Sequence, residues 1–350
     1  MGVLCGDQHR AGRGVLPGAG EETGLRGGEK MKYQEKLNKM GKSLSKKLTG
    51  LLLAVLVGCL AFILLYPVLY MVTIAIRPSE QLYNPASIWI PRALTLENFS
   101  ECIDTMKYWQ SMGNTLSICV VSAVLSVCSC MLAGYGFGRC TIPFKNVLFA
   151  FVILAIMVPP QVIILPQYLQ MSSFDFFGLG SLWGLITGEK VAVNLLDTNW
   201  SFYLPAMLCH GIRGGLYIFI FRQFFSGMPK ELEESAYIDG AGNFRTFFRV
   251  ILPNATPAMV TVTLFSIVWN WNDYYYSTMF LSTRMTVSSA LLQLKSMLSV
   301  QYGYVAISDP YTVLTQVQAG CLLLIGPLII LFVVLQKHFV ESIERTGLVG

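Results

Sequence analysis

Charge is what this chain has least of. Only 13% of its 350 residues are Asp, Glu, Lys or Arg, against 54% hydrophobic, and the mean hydropathy is +0.55. That is too apolar for one water-soluble domain of this length. Histidine is nearly missing, with His9, His210 and His338 the only copies. Neither HExxH nor GxSxG occurs, so no hydrolytic or metal-dependent reaction is written in a recognisable motif. GxxxxGK[ST] is absent too, the loop whose amides and lysine hold nucleotide phosphates. Any ATP, with its Mg, falls to another subunit, and no cofactor or metal is expected in this chain. The wealth of large apolar side chains excludes a disordered chain, and the lack of a fixed glycine period excludes a collagen-like one.

What is present is a series of long charge-free gaps. No Asp, Glu, Lys or Arg lies between Lys47 and Arg77, Lys107 and Arg139, Lys145 and Asp175, or Asp309 and Lys337. About 20 apolar residues cross a bilayer core, and a charge at its centre costs roughly 3 kcal/mol, so each gap holds one helix. Two further spans run from about Phe202 to Arg222, containing Arg213, and from about Thr256 to Leu281, containing Asp273. The expected fold is an all-α integral membrane protein with six transmembrane helices.

An even count leaves both termini on one side, and basic residues mark the cytoplasmic side. With the N-terminus inside, 18 of the 25 basic residues fall on inner segments and six on outer ones, Arg77, Arg92, Lys107, Lys190, Arg284 and Lys295. The topology is therefore N-in, C-in. A net charge of +5 distributed this way points to a membrane and not to nucleic acid. The expected organisation is a cytoplasmic segment 1–47, a first transmembrane helix 48–77 and an extracellular loop 78–110. A core 111–337 follows, with five helices and a long inner loop at 229–253, and then a cytoplasmic tail 338–350.

Residues 1–30 are Gly-rich and unpatterned, and are expected to be disordered or a non-native start. Across 31–47, Tyr33, Leu37, Met40, Leu44 and Leu48 share a helical stripe among lysines, as in a helix lying on the inner surface. A solvated basic tail is the alternative. Of nine cysteines, Cys59, Cys119, Cys128, Cys130, Cys209 and Cys321 fall within spans and are expected to be packed, reduced thiols. Cys128 and Cys130, two apart on a helix, do not face each other, which argues against a metal pair.

The inner loop from Met228 to Pro253 is longer than a connector requires. Pro229 suits a helix's first turn, where Glu231, Glu233 and Glu234 meet the positive end of the dipole. Asp239 and Gly240 break that helix, and Phe244, Phe247, Phe248 and Ile251 form an apolar stripe returning to the membrane. Ser235 and Ala236 are small enough for a partner's surface to approach, and Glu234 offers a carboxylate to a partner's arginine.

Glu234-Ser235-Ala236, three residues, Gly240, nine residues and Val250-Ile251-Leu252-Pro253 resemble the EAA loop of membrane subunits of bacterial ATP-binding-cassette importers. Ser235 and Val250 replace the usual Ala and Ile. The likeness narrows to carbohydrate permeases of the maltose type through Tyr66-Pro67, Pro91 to Phe99 and Asn114-Thr115-Leu116. It continues through Ala133 to Phe137 with Arg139, Val158-Pro159-Pro160-Gln161, Trp269-Asn270 and Phe339 to Gly350.

The resemblance implies a multi-pass permease in a bacterial plasma membrane, paired with a second homologous permease subunit. It implies as partners a cytoplasmic ATPase dimer, an extracytoplasmic sugar-binding protein and a sugar substrate, within membrane lipid. It further implies alternating access, with Glu234, Ser235, Ala236, Asp239, Gly240, Leu252 and Pro253 transmitting ATPase closure to the helices.

Arg213 and Asp273 are the charges inside spans, which makes them functional or mutually paired by default, with snorkelling to water the alternative. Together with Trp269 and Asn270 they are candidates for the translocation path, since aromatic faces and amides suit sugars. Tyr274 to Tyr276 read as an interfacial belt. In the outer loop from about 283 to 315, Gln301, Tyr302, Gly303 and Tyr304 either reach the binding protein's cleft, as the family resemblance implies, or form a passive connector. The alternative functions are an importer for a non-sugar solute, an ion-coupled carrier with midplane ion sites, and a membrane enzyme with a nucleophile or metal cluster.

Overall fold

A computed structural model describes residues 22–84, 91–188, 192–302 and 310–347. The described chain is helical, with a single isolated β-bridge between Phe174 and Val193. The first helix, α1 (Glu22–Ala75), is continuous over 54 residues. The expected boundaries at 30 and 47 therefore fall within one continuous helix, with no break in the backbone at either. The reason is local: no proline occurs from Glu22 to Tyr66, and nothing else stops the helix. Within α1 the chain divides into two compact units, one ending at Val68 and the other beginning at Leu69.

The second unit is organised around α3 (Tyr108–Arg139). It is preceded by α2 (Glu97–Thr105) and followed by α4 (Lys145–Met157), α5 (Pro160–Ser172), α6 (Leu179–Thr187), α7 (Trp200–Met207) and α8 (Gly214–Gly227). α3 packs most extensively on α8, then on α12 (Thr256–Asn272) and α7. Its buried residues include Ile118, Cys119, Ser122, Ala123, Ser126, Val127, Cys130, Met131 and Gly134, a three-to-four-residue repeat of small and medium side chains. Small residues let helix backbones approach where lipid supplies no hydrophobic drive to associate. At Gly134 the approach is closest, since a Cβ there would lie 2.4 Å from Phe221 Cβ on α8.

Three helical stretches are long and apolar enough to cross a membrane alone: Ser45–Ala75, Tyr108–Arg139 and Tyr311–Val334. Two more form as bent pairs, α4 with α5 at 103° and Asn243–Asn254 with α12 at 70°. The first bend falls at Pro159-Pro160, where each proline removes an amide donor. The expected span from Phe202 to Arg222 is not one helix. It is α7 and α8 separated by a break that holds Gly211 and the left-handed residues Cys209 (φ 61°) and Arg213 (φ 63°).

The expected outer segments are also more ordered than loops. Asn98 on α2 donates through Nδ2 to the carbonyls of Ala75 (2.8 Å) and Arg77 (2.9 Å), closing the end of α1. After α12 come the short α13 (Tyr275–Phe280) and α14 (Val287–Tyr302), so a helix replaces most of the connector expected after residue 283. Val287, Ala290, Leu294 and Leu298 bury one stripe of α14 against a cluster with Cys102, Met106, Trp271 and Ala319. Ala319 lies on the last helix, α15 (Pro310–Gly347). Thr115 accepts from the Val287 amide at 2.9 Å, and Trp271 donates from Nε1 to the Leu324 carbonyl at 3.0 Å.

Candidate functional site

The inner loop folds as an elbow. α9 (Glu231–Ile238) opens it with Glu231, Glu233 and Glu234 in the first turn. It ends where the Ala241 amide bonds back to the Ala236 carbonyl (2.9 Å) and Gly240 takes φ +78°, a closure that favours glycine. The return limb is α10 (Asn243–Thr246), a π-helical stretch from Phe247 to Ile251, and α11 (Leu252–Asn254). The expected single apolar stripe is split here. Phe247 (6% exposed) and Ile251 (0%) face the core, whereas Phe244 (83%) and Phe248 (58%) face outward.

On α9, Ala236 is buried while Glu234, Ser235 and Ile238 are exposed. The residue that ties α9 to the bundle is Glu233, not Glu234. Its Oε1 accepts from the Tyr135 hydroxyl at 3.3 Å and lies 3.6 Å from Arg139 Nε, an ion pair beyond hydrogen-bond distance. Arg139 also donates from Nη2 to the carbonyls of Met228 and Pro229, the latter at 3.2 Å. The Tyr135 ring meets Phe225 of α8 (5.5 Å) and Phe247 (4.9 Å) edge-on. The last turn of α3 is thus clamped to both limbs of the elbow. Tyr135 and Arg139, four apart on one helix face, were the sequence signal for this clamp. A surface cleft of about 810 Å³ runs beside it, bordered by Arg139, Lys145, Lys230, Glu233 and Glu234.

A second feature lies among the broken helices. A cavity of about 440 Å³ opens between the α4–α5 bend and the α7–α8 break, with Gln167, His210, Arg213, Trp269 and Tyr276 in its wall. The Arg213 guanidinium stacks on the Trp269 ring, 4.3 Å from its centroid. Asp273 does not pair with Arg213. Its carboxylate instead accepts from the amides of Tyr276 (3.2 Å) and Ser277 (2.9 Å) and from the Ser277 hydroxyl (3.0 Å), capping α13. The expected ion pair is lost because the free amides of a nearby helix start claim the carboxylate.

Asn270 is turned onto its own helix, donating to the Ser266 carbonyl at 2.8 Å, and borders a much smaller void of about 20 Å³. Of the four residues expected on the translocation path, Trp269 and Arg213 therefore share the main cavity, and Asn270 and Asp273 do not line it. His210 and Gln167, which border both cavities, carry no sequence pattern that singles them out. α14 runs to Tyr302, while Gly303 and Tyr304 lie outside the described residues.

The family model for the binding-protein-dependent transport system inner membrane component matches residues 130–345, more than half of the chain, including the elbow and the cavity. The chain belongs to this family. As a member it is a multi-pass transport permease of the inner membrane, of a kind that works with an ATPase and a binding protein. The chain is 26% identical over 295 residues to the arabinooligosaccharides transport system permease AraQ of Halalkalibacterium halodurans, covering 83% of this chain and 93% of that one. It is 27% identical over 301 residues to the melibiose/raffinose/stachyose import permease MelC of Bacillus subtilis, covering 85% and 95%. Among solved structures it resembles a bacterial ABC transporter involved in the import of the acidic polysaccharide alginate. There the TM-score is 0.65 at 22% identity, covering 84% of this chain and 98% of that one, which shows a shared fold.

Proposed function

We propose that this permease imports a sugar or oligosaccharide delivered to its outer face by a binding protein, as one half of a pore completed by a second homologous permease. An ATPase dimer beneath the membrane binds ATP and Mg and performs the hydrolysis, and this chain catalyses nothing. The observation that carries this reading is the elbow. Its outward surface joins Glu234 and Ser235 to Ile238 (85% exposed) and Phe244 (83% exposed). Its inner side is clamped to α3 and α8 through Glu233, Tyr135 and Arg139.

An exposed Ile and Phe beside an acidic turn suit a groove on the ATPase with an apolar floor and an arginine at its rim. Displacement of the elbow then tilts α3 and α8 together, because the clamp fixes the elbow to both. Sugar as the solute rests on the oligosaccharide permeases to which the chain is similar. The N-in, C-in topology puts the elbow on the ATPase side, and the segment around Gln301 to Tyr304 on the side of the binding protein.

The test is to purify the chain with its neighbouring operon products and screen saccharides for stimulation of ATP hydrolysis. Glu234→Lys is expected to abolish that stimulation or the assembly while leaving membrane insertion intact. Wild-type stimulated hydrolysis in the variant overturns the elbow's role.

A further inference from the structure

A guanidinium inside an apolar run needs either a counter-charge or water. Arg213 has no carboxylate partner among the described residues. Asp273, the one acid inside any of the expected spans, spends both oxygens on α13. The Arg213 guanidinium lies over the Trp269 ring, and both side chains border the 440 Å³ cavity. Arg213 is the one charged side chain in that wall, and no Asp or Glu faces it there.

Three further observations bear on what the cavity holds. α8, a helix of 14 residues, begins in the wall at Gly214 and Gly215, so the positive end of its dipole adds to Arg213. Gln167, 7% exposed, also borders the cavity and brings a polar amide to its wall. Apart from His210 and Tyr276, the remaining wall, including Phe151, Ile156 and Leu216, is apolar and suits the faces of a ring. The volume falls within the range of about 300–1,000 Å³ usual for small-molecule sites.

We infer that this cavity binds a carboxylate carried on a sugar ring, so that the solute is an acidic saccharide built from uronic acid. Arg213 takes the carboxylate through paired N–H bonds, and the apolar part of the wall covers the ring. This deepens the reading of the chain as a sugar importer and rests on it.

The experiment uses the whole complex in liposomes with its binding protein. The probes are uronate di- and trisaccharides, each paired with its carboxyl-reduced counterpart of the same linkage. At least one acid is expected to stimulate ATP hydrolysis and uptake at a concentration tenfold or more below that of its reduced partner. Arg213→Gln raises the half-maximal concentration of the acid about tenfold or more and leaves that of the reduced sugar little changed. Arg213→Lys retains part of the preference. The binding protein is the same in every assay, so a change in the ratio belongs to the permease.

Where Arg213→Gln fails to assemble, Gln167→Glu serves instead. It sets a competing carboxylate in the same cavity and weakens the acid selectively. The inference is overturned if reduced sugars act as well as their acids across the panel. It is equally overturned if the variants shift both members of a pair alike, the result expected when Arg213 pairs with an acid of the second permease subunit. If no saccharide of either kind stimulates hydrolysis, the sugar reading itself fails and this inference goes with it.

Discussion

Replacing Arg139 with methionine removes the cation that holds the elbow to the end of α3. The Arg139 and Glu233 side chains are 6% and 14% exposed, so the substitution leaves a mostly buried carboxylate with only the Tyr135 hydroxyl, and strips a donor from the Met228 and Pro229 carbonyls. Truncating one member of a buried, hydrogen-bonded charge pair costs about 2–5 kcal/mol. The 3.6 Å separation and the partial exposure of Glu233 place this case near the lower end, at roughly 2–3 kcal/mol, or about a 30- to 150-fold shift in the opening equilibrium of the elbow.

Amide hydrogen exchange of residues 231–246 in the assembled complex measures that opening directly. Arg139→Met is expected to accelerate exchange there while leaving α14, whose buried stripe belongs to a different core cluster, unchanged. Substrate-stimulated ATP hydrolysis falls in the same variant. Glu233→Leu alone does similar damage. The double variant loses less than the sum of the two, by about 1–3 kcal/mol, because no charge is left unpaired. Unaltered exchange in Arg139→Met, or strict additivity in the cycle, refutes the clamp.

Two other perturbations test the frame that carries the elbow and cavity. Gly134→Ala puts a Cβ 2.4 Å from Phe221 Cβ, 3.0 Å from the Arg222 amide nitrogen and 3.1 Å from the Phe221 carbonyl carbon, so α3 and α8 must separate. Overpacking of this kind costs about 1–3 kcal/mol, read as a lowered thermal unfolding midpoint of the purified complex, and an unchanged midpoint counts against the close approach. Just before α7, Asp197 accepts from the Thr283 hydroxyl and from the amides of Ser282 (3.0 Å), Thr283 (2.9 Å) and Arg284 (3.2 Å). The Thr283 hydroxyl first, and then these amides, hold its carboxyl down at about 2. A lowered carboxylate favours the fold at all pH above its ordinary value of 3.8 and loses that contribution as pH falls towards 2. Protection of the 282–284 amides should therefore be flat from pH 5 to 8 and collapse in Asp197→Ala at any pH. Protection that titrates near neutrality, or survives the substitution, sinks the account.

How much of this was legible beforehand follows from what each signal measures. Charge-free gaps report whether hydrocarbon tolerates a segment, and they located α1, α3 and α15 well. They say nothing of whether the backbone is continuous, which is why the stretch from Phe202 to Arg222 read as one span. Pro205 and Gly211 were visible there, yet neither alone dictates a break. The tie between Glu233 and the bundle was not legible, because the helix dipole favours every acid of a first turn alike and Glu233 is singled out only by Tyr135 and Arg139 on a distant helix. The pairing of Asp273 with Arg213, offered beside snorkelling to water, fails because α13 is hidden inside the expected span.

The broken span and the lost ion pair share one cause, and it bears on how the permease works. An unbroken helix satisfies its own amides and carbonyls and shows a solute only side chains. At Pro159-Pro160 and between Cys209 and Arg213 that self-sufficiency ends, and Gly214, Gly215, Gln167 and Arg213 become the wall of one cavity. A transport protein needs polar contacts at membrane depth that can be released when helices tilt, and broken helices supply them with few buried charges. The segments that read least well as spans are thus the ones equipped to meet a polar solute.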